Sequence, residues 1–156
     1  MAVQTVSFAA QVNDFVRQTQ RRMEAVFRES AQRVITEMQT PVAQGGNMPV
    51  DTGFLRASLR ITKDAPLPMG AGRPDDAKTY AYNPTAASLV LAGAGIGDTL
   101  FASYTANYAG FVHYGREGRP GRQWVTMAAQ RWPTIVAQVS AELQGRVEAR
   151  QAPGGR

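Results

Sequence analysis

An α+β domain is the fold class this sequence predicts, and three observations predict it. Apolar residues recur at steps of three and four from Ser7 to about Gln39, the spacing of a helix that buries one face. β-forming residues crowd the stretch 80–115 and are cut by glycines. A second helical stripe closes the chain over about 123–148. At 156 residues, one domain spanning 1–156 is the natural reading. The expected order is a long N-terminal helix, a short helix, a small antiparallel sheet and a C-terminal helix.

The first helix carries Phe8, Val12, Phe15, Val16, Met23, Val26, Phe27, Val34, Ile35 and Met38 on its apolar side. Ser7 is its expected N-cap, and Thr40-Pro41 its stop, because the residue before proline disfavours α geometry. At some 30 residues the helix is roughly 45 Å long. That is too long for so short a chain to cover, so part of it is expected to pack on another subunit. Glu24 with Arg28 and Glu29 with Arg33 form i,i+4 pairs, while Arg17, Arg21 and Arg22 make one flank basic. A breaker-rich loop, PVAQGGNMP, occupies 41–49. Leu55 and Leu59 share a face in an expected short helix over 55–59. The segment 63–79, with three prolines and two glycines, is expected to be a mobile loop.

Further on, the sequence predicts a strand at about 87–93, a hairpin turn at 95–98 and a strand at about 99–104. A helical or turn segment at 107–114 and a basic loop at 116–122 follow. The closing helix contains Pro133, which kinks or restarts it, and the tail over about 149–156 is expected to fray.

Composition narrows the function classes. With no cysteine, the chain has no disulfide framework, thiolate nucleophile or thiolate metal site, which suits a reducing cytoplasm. No apolar run approaches the roughly 20 residues that cross a bilayer, and the N-terminus lacks the pattern of a secretory signal, so no membrane partner is expected. A lone histidine, His113, has no partner for a metal or nucleophile site, and no cofactor is expected. Gly93, Gly95 and Gly97 fall short of a dinucleotide fingerprint, since Asp98 follows and a strand comes next. The net charge of +5 comes from 17 basic and 12 acidic side chains, of which 15 are arginine. Arginine suits carboxylate and phosphate partners alike, and a genomic base bias produces the same excess.

The most suggestive stretch is PVDTGFLRASL at 49–59. Its DTG tripeptide carries the catalytic carboxylate in aspartic proteases, but a protease dyad needs two such loops, and this chain has one. A bulky Phe54 follows the glycine, where those enzymes have a small residue. The expected role is structural. Asp51 or Thr52 caps the short helix, Gly53 allows the sharp turn, and Arg56 pairs with Asp51 or reaches a neighbour.

Together with IGDTLFASYTANYAGFVHYGREGRPGRQWV at 96–125, this stretch resembles the small head–tail joining proteins of tailed bacteriophages, also called neck, tail-completion or minor tail proteins. Pro49, Val50, Asp51, Thr52, Gly53, Leu55, Arg56 and Ser58 fit that family's P-V-D-T-G-x-L-R-x-S pattern. Tyr108, Ala109, Val112, Tyr114 and Gly115 fit its Y-A-x-x-V-E-Y-G pattern, with His113 in place of the acid. The match spans about residues 7–148, and the loop at 63–79 is longer than the family minimum. The resemblance implies a non-enzymatic virion protein, assembled in the host cytoplasm as a ring, commonly a hexamer, between capsid connector and tail. Its implied partners are copies of itself, other neck and tail proteins, and DNA touched without sequence preference. Arg17, Arg21, Arg22, Tyr108, His113, Tyr114, Arg119 and Trp124 are the candidate interface residues, Tyr, Trp and Arg being common anchors. Two other readings are a basic nucleic-acid-binding module and, more remotely, a dimeric aspartic protease using Asp51.

Overall fold

The computed structural model describes residues 6–75 and 78–151. It is a mixed α+β fold dominated by helices, built along α1 (Phe8–Gln39). Ser7 caps α1 as expected, its hydroxyl accepting from the Ala10 amide at 3.2 Å, and the helix ends at the residue before Thr40-Pro41. Glu29 and Arg33 pair at 3.1 Å, and Glu24 and Arg28 more loosely at 3.5 Å. Arg28 also donates to the Ala94 carbonyl, so its second partner is tertiary.

Only the C-terminal half of α1 enters the core. Ala31, Ile35 and Met38 are buried with Met48, Leu55, Leu59, Leu91, Tyr104 and Trp124 in one cluster. Closing helices α5 (Trp124–Gln130) and α6 (Trp132–Gln151) pack along α1. Pro133 restarts the second of them one residue into its first turn, where a missing N–H costs nothing. Arg33 clamps Glu142 of α6 in a two-pronged bond and holds that carboxyl below its usual range. Of the tail expected to fray over 149–156, residues 149–151 remain helical and 152–156 lie outside the described residues.

The sheet differs from the expected one. Its two strands are β1 (Leu59–Thr62) and β2 (Phe101–Tyr104), antiparallel, with Leu59 opposite Tyr104 and Thr62 opposite Phe101. The segment expected as a strand at 87–93 is instead helix α3 (Thr85–Ala92). Asn83 accepts from the Thr85 amide at 2.9 Å, Pro84 occupies the cap, and the run TAASLVLA is rich in alanine and leucine. A continuous apolar run has no period to separate helix from strand, and here helix propensity wins. The turn at 95–98 exists, held by Asp98 accepting from the Gly95 amide at 2.8 Å, but it joins α3 to β2 and is not a hairpin. Helix α2 is shorter than expected, Phe54–Ala57, because Leu59 already belongs to β1. The basic loop at 116–122 holds a tight hairpin, β3 (Gly115–Arg116) with β4 (Arg119–Pro120), after helix α4 (Ala109–Tyr114).

The loop expected to be mobile over 63–79 is tied down near its middle. Gly70 and Ala71 both donate to the Thr105 carbonyl at 2.9 Å, and Asn107 donates back to Ala71. Residues 76 and 77 of this loop lie outside the described residues.

This division of α1 sets an expectation for stability. Ile35→Ala removes a buried side chain and is expected to cost about 2–5 kcal/mol. Phe15→Ala, at a site 70% exposed, is expected to stay within about 0.5 kcal/mol. Urea unfolding of the two variants checks the contrast.

Candidate functional site

The PVDTG stretch builds a corner between the end of α1 and the start of β1. Gly53 has φ 87°, and a Cβ there would overlap the Tyr80 carbonyl oxygen. Tyr80 in turn donates its amide to the Thr52 carbonyl at 2.8 Å. The far end of the 63–79 loop is thereby stitched to the motif. The Phe54 ring lies between those of Tyr80 and Tyr108, with centroids 5.2 and 6.3 Å away.

The expected capping by Asp51 does not occur. Gly53 itself, which has no side chain to cap with, occupies the N-cap position of α2. Thr52 contributes only a long contact, its hydroxyl accepting from the Phe54 amide at 3.4 Å. The Asp51 side chain is 94% exposed and faces Arg73 at 3.6 Å, so its pairing with Arg56 does not occur either. Glycine's left-handed backbone turns the chain before any carboxylate is needed, leaving Asp51 on the outer rim.

Arg56 is occupied elsewhere. Its Nε donates to the Gln39 carbonyl at 2.8 Å, and the Gln39 amide donates to the Arg56 carbonyl at 3.0 Å. The guanidinium also lies 5.7 Å from the centre of the Tyr82 ring. It therefore closes the C-terminal end of α1, where a helix leaves carbonyls unpaired and a cation is favourable. Gln39 is buried and also accepts from the Tyr104 hydroxyl at 3.3 Å. Burial pushes the Tyr104 phenol above its ordinary range. Sequence reasoning missed Gln39, a polar residue at the end of an apolar stripe that only a tertiary partner explains.

The second motif divides into inward and outward residues. His113 and Trp124 are buried, so within this chain they are core residues and not exposed anchors. The His113 Nε2 lies 3.0 Å from the Thr126 hydroxyl, and its ring meets Trp124 edge-on at 5.0 Å. Burial lowers the His113 pKa. Tyr108 is half-buried, while Tyr114 is 79% exposed. Arg119 lies exposed on β4, and Arg116 stacks on the exposed Phe111 ring at 4.8 Å.

Two open surfaces bear on the predicted site residues. A cleft of about 420 Å³ lies over the corner, with Asp51, Arg73, Tyr108 and Arg122 around it. At the other end of the molecule, Arg21 and Arg22 line a groove between α1 and α6, with Arg17 one turn further out. Among the described residues, no group of three or more His, Cys, Asp or Glu side chains is placed to hold a metal ion. No described helix is long and apolar enough to cross a membrane. Comparison of the chain with protein-family models, curated proteins and solved structures finds no match.

Gly53→Ala adds left-handed strain and overlap with Tyr80, and is expected to cost at least about 2 kcal/mol. Asp51→Asn is expected to change stability by less than about 0.5 kcal/mol. Denaturant melts of both variants check the assignment of the corner to the glycine.

The lone histidine gives a clean pH test. Its folded pKa lies below the unfolded value of about 6.5, so protons bind the unfolded chain preferentially. Its contribution to stability is full above that value and is lost as pH falls through the window beneath it. The melting temperature of His113→Gln is expected to depend less on pH than that of the parent between about pH 7.5 and 5.5. A parallel pair of curves would show that His113 is not the titrating group.

Proposed function

We propose that this chain is a structural virion protein of a tailed bacteriophage, one building block of the ring-shaped neck that joins capsid connector to tail in a completion or terminator role. The reading rests on the paired motifs, and one observation carries it further. Among the described residues little covers the N-terminal half of α1: Phe8 is 81% exposed, and Val12, Phe15, Val16 and Met23 are exposed with it. An unsupported helix of this length is marginal in water, and an apolar stripe on it favours burial against another chain. A protein whose work is assembly has such surplus surface by design.

The PVDTG corner suits the same role. It uses a positive-φ glycine and a backbone bond from the Tyr80 amide to the Thr52 carbonyl to fix one end of the 63–79 loop, presenting that loop as a shaped surface. Ring formation follows when head-to-tail contacts between copies close on themselves.

Native mass spectrometry of the purified protein, alone and mixed with any connector or tail-tube proteins that its neighbouring genes encode, tests the reading. The expected result is a closed oligomer, or a stoichiometric complex with one of those proteins. A monomer that binds neither, and whose gene has no portal or tail genes nearby, would sink it. Salt-sensitive binding to bare DNA in that monomer would point to the nucleic-acid module instead.

A further inference from the structure

The uncovered part of α1 belongs to a longer seam. Phe8, Val12, Phe15, Thr19, Arg22 and Val26 follow one another at steps of four and three, as along one side of a coiled-coil helix. The line continues through Ser30, Arg33 and Glu37, where this chain covers it itself. Ser30 is fully buried, Arg33 bonds Glu142 at 3.0 Å, and Glu37 meets Arg131 at 2.6 Å. Helix α6 runs antiparallel to α1 along that stretch and ends at Gln151, beside Arg21 and Arg22. Beyond this point the described residues leave the seam uncovered, Phe8 and Phe15 being 81% and 70% exposed.

At this end of the pair, α1 and α6 leave a groove of about 600 Å³. Ala25, Val26, Leu143 and Val147 give it an apolar floor, and Arg21, Arg22, Arg146 and Arg150 stand around it. Arg17 adds a fifth guanidinium one turn along α1. The carboxylates nearby in sequence are Asp14, Glu24, Glu142 and Glu148; Glu24 pairs with Arg28, Glu142 with Arg33, and Glu148 accepts a bond from Gln144. Among the described residues, Arg17, Arg21, Arg22 and Arg150 make no side-chain hydrogen bond or ion pair.

We propose that this groove and the bare seam receive an amphipathic helix with acidic flanks, supplied by a protein other than this chain. The seam fixes the shape of the occupant. A third helix laid along α1 would continue the line of α6, set apolar side chains on Phe8, Val12 and Phe15, and fill the groove. The rim fixes its charge, since guanidinium forks pair with carboxylates in two-pronged geometry. A second copy offering the same face would bring the same arginines against these, a like-charge juxtaposition that disfavours the pairing. Nucleic acid would satisfy the arginines but leave the phenylalanines in water. A flat anionic bilayer would touch the rim without entering the groove. The inference stands on this face alone and does not depend on the neck reading.

The test titrates the full chain against a labelled peptide of about three heptads, with leucine at the seam positions and glutamate beside them. The same peptide with lysine flanks, a scrambled glutamate peptide, a short DNA duplex and anionic vesicles serve as comparisons. The glutamate peptide is expected to bind at least about tenfold more tightly than its lysine and scrambled counterparts. Phe15→Asp, and separately Arg22→Glu with Arg146→Glu, are expected to weaken it by a similar factor. All three positions are exposed, so melting temperatures should hold. Equal binding of the two charge types, tighter binding of DNA or vesicles, or no binding would each overturn the proposal. Self-association that Phe15→Asp abolishes would also overturn it, by making a second copy the occupant.

Discussion

The structure hangs on how the C-terminal end of α1 is closed. A helix that ends inside a core brings unpaired carbonyls with it, and each one left without a partner costs about 1–3 kcal/mol. Here the Gln39 carbonyl receives the Arg56 guanidinium, and the Gln39 side chain bonds the Arg56 carbonyl and the Tyr104 hydroxyl. Those three residues belong to α1, α2 and β2, so one set of bonds fixes three elements together. The rest follows from that junction. With Arg56 held, Gly53 is placed under Tyr80, and Ser58 is placed to accept from the Thr105 amide at 3.2 Å. β1 then starts at Leu59 in register with Tyr104.

This dependence explains what was legible in the sequence. The helices at both ends were readable because their signals are local: Ser7 as a cap, Thr40-Pro41 as a stop, Pro133 as a restart. The sheet was not. Leu59 to Thr62 is four residues long and follows a helical turn without a break, and its partner lies some forty residues on. Nothing local separates it from a continuing helix. The reverse error arose at Thr85–Ala92, where an unbroken apolar run between turn residues fits either state.

The PVDTG corner shows the same division within a few residues. The need for glycine at position 53 was readable, since a tight turn before a helix calls for a left-handed backbone. The use of Asp51 and Arg56 was not, because each finds its partner outside the motif, at Arg73 and at Gln39. His113 and Trp124 were placed among candidate contacts from their neighbours in sequence. α4 turns His113 toward Thr126, and the start of α5 sets Trp124 against Tyr104.

The arginines join these threads. An excess imposed by base composition alone would have no reason to sort itself by position, yet these side chains sort. Arg28, Arg33, Arg56 and Arg131 tie the C-terminal half of α1 to the rest of the fold through carbonyls and carboxylates. Arg17, Arg21, Arg22 and Arg150 cluster where, among the described residues, they find no carboxylate partner and α1 is least covered. Exposed charges act over about 8–10 Å in ordinary salt, so the net +5 is felt most where carboxylates are fewest. The same helix is thus neutralised and packed at one end, and charged and bare at the other. The described residues pack only one end of this long helix, and the other end brings exposed apolar and cationic side chains onto one face.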